Sequence, residues 1–191
     1  LFVGIDVGDE VRQAALAARR TIEDRLSRVH VGPPRILWVA AEGLHVTLKF
    51  FGEQPDEQAR AIVAEAAKPI PLRPFIVEWR GLGVFPSPRQ PRVLWLGVTA
   101  GTRELGELEA AVARRFAQGD PAEADAPRPF HPHVTLGRVK VPGHPLDWPA
   151  LLEAAAVPAV TSLVDHVRLY RSFGRPGGVG YEVVARGRLE A

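Results

Sequence analysis

The chain has 191 residues, 46% of them hydrophobic and 24% charged, with a formal net charge of +2; this is the balance of a folded globular chain, not of a disordered one or of a basic protein that coats a duplex. Cysteine is absent, which excludes disulfides, a thiolate nucleophile and cysteine-ligated zinc. No apolar run approaches the ~20 residues of a membrane span, and no charged segment followed by an apolar one opens the chain, so it is read without a signal peptide and, by default, in the cytoplasm.

Leu1–Val7 (LFVGIDV) reads as a strand, with Gly8 and Asp9 as turn and helix cap. A helix is expected to about Val29, because Val11, Ala15, Ala18, Ile22 and Leu26 recur every three or four residues and form one apolar stripe. Gly32-Pro33-Pro34 ends it. Ile36–Ala40 and Leu44–Phe51 read as strands, followed by a helix over Gln54–Lys68 with Pro55 near its first turn. Phe75–Phe85 and Arg92–Thr99 read as strands around a proline-rich loop, FPSPRQP. Gly101–Gln118 reads as a third helix, with Leu105, Leu108, Val112 and Phe116 on one face, and Gly119–Pro129 as a polar loop. Phe130–Val141 is an expected strand, Trp148–Ala156 a short helix, and Val164–Phe173 with Gly180–Arg186 a hairpin. Several strands follow one another through loops too short for crossover helices, which favours an α+β fold with antiparallel pairing.

One tetrapeptide occurs twice, as His45-Val46-Thr47-Leu48 and His133-Val134-Thr135-Leu136. The repeat points to two related lobes, each contributing one copy. Strand side chains alternate, so His45 shares a face with Thr47 and His133 with Thr135, while Val46, Leu48, Val134 and Leu136 face the cores. If the lobes face each other, two imidazoles and two hydroxyls converge. Imidazole titrates near pH 6.5, so one ring can accept a proton while its twin donates one. Opening a phosphodiester needs both acts, and threonine hydroxyls can donate to the non-bridging phosphate oxygens. That chemistry requires no metal and no cofactor.

The paired H-x-T motifs resemble those of the two-histidine phosphoesterase superfamily. HVTLKFFGE (His45–Glu53), FPSPRQPRVLWLGV (Phe85–Val98), FHPHVTLGRVK (Phe130–Lys140) and LYRS with YEVV (Leu169–Ser172, Tyr181–Val184) resemble its bacterial and archaeal branch of RNA 2′,3′-cyclic phosphodiesterases, first described as 2′–5′ RNA ligases. The resemblance implies one bilobal domain over residues 1–191, with two antiparallel sheets, outer helices and a pseudo-two-fold cleft. It implies metal-independent hydrolysis of RNA 2′,3′-cyclic phosphate ends to 2′-phosphomonoesters. The chain is read, apart from the resemblance, as a monomer that touches no membrane. On the family pattern His45 is the proton donor, His133 the proton acceptor, Thr47 and Thr135 the phosphate-oxygen ligands, and Arg138 a substrate-binding base. Sequence symmetry alone does not distinguish acid from base.

Other readings stand beside these. Arg138 lies five residues after His133, an odd offset that strict alternation sends to the opposite face unless a bulge at Gly137 re-aims it. Lys49 has the parity of His45 and is either a phosphate contact or an exposed charge. His131 and His133, with His45, offer a three-nitrogen zinc alternative that leaves the threonines unused. His30, His144 and His166 read as structural or exposed. Trp38, Trp79, Trp95 and Trp148 read as mostly core, and core packing is favoured over base stacking for Phe2, Phe50 and Phe130. The Arg175–Gly178 segment lacks the pattern of a P-loop and reads as a turn. ATP-independent 2′–5′ joining at the same cleft, and a non-catalytic RNA-end binding module, are the competing functions.

Overall fold

A computed structural model of the chain describes residues 1–117, 129–141, 143, 146–176 and 178–190. The loop expected over Gly119–Pro129 lies outside these residues apart from Pro129, as does His144. In chain order the elements are β1 (Phe2–Asp6), α1 (Gly8–Ser27), β2 (Arg35–Trp38), a 3₁₀ turn (Ala41–Gly43), β3 (His45–Phe50), α2 (Asp56–Ala66), β4 (Phe75–Ser87), β5 (Gln90–Ala100), α3 (Thr102–Arg115), β6 (Val134–Val141), α4 (Trp148–Ala154), β7 (Val160–Val164), β8 (His166–Arg175) and β9 (Gly178–Arg188). Among the described residues, no helix is long and apolar enough to cross a membrane.

The strands form two sheets, a smaller one ordered β3-β1-β8-β9 and a larger one ordered β2-β6-β5-β4-β7. All strand pairs are antiparallel, so the fold is α+β, with two antiparallel sheets. The order β3-β1-β8-β9 is repeated by β6-β5-β4-β7, with β2 added outside β6. The lobes are not sequence halves. Helix α1 leaves β1 of the smaller sheet and packs on β7 of the larger, whereas α3 leaves β5 of the larger sheet and packs on β3 of the smaller. The stripes that drive this are those in the sequence. Val11, Ala15, Ala18 and Ile22 are buried on α1, and Leu105, Leu108 and Val112 on α3. Val46 and Leu48 of β3 and Val134 and Leu136 of β6 are buried in the core, as alternation requires.

Some boundaries differ from expectation. Asp9 does not cap α1. The N-cap is Val7, and Asp9 and Glu10 lie in the first turn, where negative charge suits the helix dipole. Pro55 is the N-cap of α2, next to its first turn as expected, and the helix runs from Asp56 to Ala66 rather than over Gln54–Lys68. The stretch FPSPRQP is not a loop. β4 and β5 continue through it, pairing Pro86 with Pro91 and Ser87 with Gln90. This part of the hairpin extends beyond the residues of β5 that pair with β6, so the prolines break no ladder between two sheet neighbours. Strand β7 was hidden in the run before Val164. Asp165 separates it from β8, and the two go to different sheets. Strand β6 begins at Val134, later than the expected Phe130, because Pro132 has no N–H for a ladder. As expected, the chain turns between Arg175 and Gly178, which pair to close the β8–β9 hairpin.

Candidate active site

The two H-x-T segments fold alike. In β3, His45 lies opposite Asp6 and Thr47 opposite Gly4; the register then slips, so that Lys49 faces Val3 and Phe50 faces Phe2, with Leu48 skipped. In β6, Val134 lies opposite Leu96 and Thr135 opposite Trp95; the register slips again, so that Gly137 faces Leu94 and Arg138 faces Val93, with Leu136 skipped. Each motif thus carries a bulge at its leucine. A bulge inverts the alternation beyond it. Arg138 therefore shares the side of His133, and Val139, its neighbour, packs against the core. By the same inversion Phe50 takes the side of His45, while Lys49 turns away. Its ammonium lies 5.9 Å from the ring of Phe51, which itself packs edge-on to Phe116 of α3. The parity argument that brought Lys49 to the site fails for this reason.

Each histidine is held in the same way. Nδ1 of His45 donates to the carbonyl of Gly43 at 2.7 Å, and Nδ1 of His133 to that of His131, also at 2.7 Å. The carbonyl lies two residues before the ring in both. A proton fixed on Nδ1 leaves Nε2 as the nitrogen that exchanges protons. Nε2 of His45 lies 3.1 Å from the Thr47 hydroxyl. Strands β3 and β6 touch although they belong to different sheets, and the charge of His133 is felt at His45.

The surroundings of the rings differ. His45 packs against Phe2 at 4.7 Å, Tyr181 at 5.3 Å and Tyr170 at 5.5 Å. Burial among them lowers its pKa from the ordinary 6.5; the hydrogen bond to Gly43 and the charge of Asp6 oppose this, and the charge of His133 adds to it. Asp6 is gripped from two sides, by Arg12 at 2.7 Å and Arg168 at 3.2 Å. Arg12 also donates to the carbonyl of Ala41 at 2.6 Å. It so ties the aspartate to the 3₁₀ turn that supplies the Gly43 carbonyl. Arg168 donates to Nε2 of His166 at 2.9 Å, and Nδ1 of that ring is bonded to Asp165. His133 is only partly buried and has Phe85 edge-on at 5.1 Å.

Sequence reasoning brought His45 and Thr47 to β3 and Thr135 to β6, with His133 one residue ahead of that strand rather than on it. It missed Asp6, Arg12, Arg168, Tyr170, Tyr181 and Phe85 as their neighbours. A signal existed for Asp6, since Phe2, Gly4 and Asp6 alternate on one face of the opening strand. None existed for Arg168, which reaches Asp6 only because β8 pairs with β1. Two expectations for aromatic residues are corrected. Phe50 is not core but 62% exposed, stacked on the buried Phe2 at 5.4 Å, and Trp38 and Trp95 are half-buried rather than enclosed like Trp79 and Trp148. Among the described residues no three His, Asp or Glu side chains are grouped to hold a metal, so His45, His131 and His133 do not form the three-nitrogen set.

The pattern that defines the 2′-5′ RNA ligase superfamily matches residues 11–175. The chain is 33% identical to an RNA 2′,3′-cyclic phosphodiesterase of Thermotoga maritima over 193 aligned positions, covering 99% of this chain and 95% of that one. It is 37% identical to the protein of the same name from Aquifex aeolicus, covering 73% and 70%. The crystal structure of a Thermus thermophilus protein superposes with a TM-score of 0.70 at 30% identity, covering 98% and 96%. E. coli LigT complexed with 3′-AMP superposes with a TM-score of 0.64 at 28% identity, covering 100% and 97%.

Proposed function

Since the chain belongs to the 2′-5′ RNA ligase superfamily, we propose that it is an RNA 2′,3′-cyclic phosphodiesterase that opens the ring between its two histidines without a metal. The observation that carries this reading is the matched pair of bulged strands, each with a histidine whose Nδ1 is locked to the carbonyl two residues before it. Such a pair presents two Nε2 atoms, one for each side of a phosphorus atom.

In the proposed step His133 removes a proton from water as the water oxygen bonds to phosphorus. The P–O3′ bond breaks, and His45 gives its proton to O3′. The products are a 2′-phosphomonoester and a free 3′-hydroxyl. Thr47 and Thr135 donate to the two non-bridging oxygens, whose charge grows in the transition state. Imidazolium and hydroxyl donors supply the electrostatics a metal would otherwise provide. Asp6 supports the donor role of His45, because its carboxylate favours the protonated ring. Burial opposes it in the free enzyme. A bound phosphate anion between the rings restores the proton by the same charge effect. Arg138, exposed and on the side of His133, suits a substrate phosphate, and the open face of Phe50 suits the terminal base. Both motifs come from one chain, which supports a monomer as the active unit.

The test is incubation of the pure protein, in excess chelator, with an RNA ending in a cyclic phosphate. Chromatographic release of a 2′-phosphomonoester is the expected result. A 3′-phosphomonoester, or activity that vanishes with chelator and returns with zinc, refutes the mechanism. Binding without turnover supports the non-catalytic module instead.

A further inference from the structure

The register of the smaller sheet carries the face of His45 across to its far edge. One row reads Thr47, Gly4, Arg168 and Arg186 over β3, β1, β8 and β9. Two residues along each strand lie His45, Asp6, His166 and Arg188. Gly187, between the two β9 arginines, faces the other way. A Cβ there would lie 2.6 Å from the carbonyl oxygen of Ala66, in α2 behind the sheet. Arg186 and Arg188 therefore stand on the side of His45, and both are exposed. Their charges go against sheet stability. Arg186 lies directly opposite Arg168, and like charges so placed destabilise a strand pair. On the other face of the same hairpin Arg171 lies opposite Glu182, as stability asks. The nearby carboxylates are already engaged, Asp6 by Arg12 and Arg168 and Asp165 by His166. Among the described residues neither Arg186 nor Arg188 has an acidic partner. Folding alone does not account for two such guanidinium groups beside a third, whereas an anion lying on this face does.

We infer that Arg186 and Arg188 form a track for the sugar–phosphate backbone of the RNA that precedes the cyclic end. The inference rests on the roles given to His45 and His133 above. In that scheme the leaving O3′, its ribose and everything 5′ of it lie on the side of His45, so the RNA leaves the cleft over the smaller sheet. With neighbouring strands about 4.8 Å apart, Arg186 stands about 14 Å from Thr47. That is too far for the phosphate assigned to Thr47 and suits the phosphates before it. Arginine contacts to phosphate carry no sequence information. The track therefore selects a chain of nucleotides over a cyclic mononucleotide without selecting bases.

The experiment compares kcat/KM for 2′,3′-cyclic AMP and for an adenosine tetranucleotide ending in a cyclic phosphate, over a range of salt concentrations. The tetranucleotide is expected to be the better substrate at low salt and to lose that advantage as salt rises. Arg186→Ala and Arg188→Ala are each expected to lower its kcat/KM about fivefold, the upper range for one exposed ion pair. Each is also expected to flatten the slope of log kcat/KM against log salt by about 0.7, the value for one single-strand phosphate contact. Cyclic AMP has no upstream phosphate and is expected to react at the parental rate in both variants. Arg20→Ala, which removes an exposed charge from α1, is expected to change neither substrate. Equal kcat/KM for the two substrates at low salt, or a tetranucleotide rate that neither variant changes, overturns the track and leaves the hydrolytic reading in place. Equal losses on both substrates overturn it too, because they would put the arginines at the cyclic phosphate itself. If the parent chain opens neither substrate, the hydrolytic reading fails, and fluorescence anisotropy of a labelled tetranucleotide decides the track. Binding weakened by both variants retains it, and unchanged binding overturns it.

Discussion

The two lobes share a backbone and differ in what they place behind the histidine. Tyr170 beside His45 corresponds to Phe85 beside His133, since Phe2 pairs with Tyr170 as Val93 pairs with Phe85. The Asp6–Arg168 pair corresponds to Gly97 and Gly83, covered by the indole of Trp95, and Phe50 corresponds to Arg138. Backbone symmetry supplies two equal mounts for imidazole. It cannot by itself decide which ring gives a proton and which takes one. That division has to come from the unequal surroundings, a caged ring with a carboxylate opposite it and a partly open ring beside a cavity lined by Phe85 and Trp95.

The comparison is broken most directly at the rings. His45→Ala and His133→Ala are each expected to lower the rate of cyclic-phosphate opening by about 10²–10⁴, because each removes one half of the proposed acid–base pair. An intact rate in either variant would end the two-ring scheme. Thr47→Val and Thr135→Val test the symmetric part. Each removes one donor to a charged oxygen, and each is expected to cost about 10² in kcat. Unequal losses would mean that the phosphate sits closer to one lobe.

Asp6→Asn tests the asymmetric part. The charge of Asp6 raises the pKa of His45, so its removal lowers that pKa further. Activity that needs His45 protonated falls as pH rises through this value; the basic limb of kcat/KM is therefore expected to move to lower pH. Gly97→Asp would show whether the same carboxylate can be imposed on His133. Phe50→Ala and Arg138→Ala, at equivalent positions, are each expected to raise KM about tenfold through lost stacking or phosphate contact.

Stability gives the smallest effects. A Cβ on Gly4 would lie 2.5 Å from the carbonyl oxygen of Val46, so Gly4→Ala is expected to cost about 1–3 kcal/mol in chemical unfolding by forcing β1 from β3. The buried His45 also makes stability pH-dependent. Above pH 6.5 folded and unfolded rings are both neutral and contribute nothing. As pH falls below 6.5, the unfolded chain binds the proton first and stability drops; the drop is complete below the folded value. Urea midpoints on either side of pH 6.5 are expected to differ less in His45→Gln than in the parent chain.

The sequence by itself determined what is local. Helical stripes such as Val11, Ala15, Ala18 and Ile22, and the alternation of His45 and Thr47 with Val46 and Leu48, follow from backbone periods of 3.6 and 2 that neighbouring residues obey without reference to the rest of the chain. The tertiary structure decided the rest. Leu48 and Leu136 look like their neighbours until a partner strand leaves each without an opposite residue, and only then do Lys49 turn away and Phe50 and Arg138 turn in. Arg168 meets Asp6 across most of the chain length because β8 and β1 are neighbours in one sheet. Register and sheet membership are chosen by burying both faces of every strand at once, a condition on distant segments that no short stretch of sequence contains.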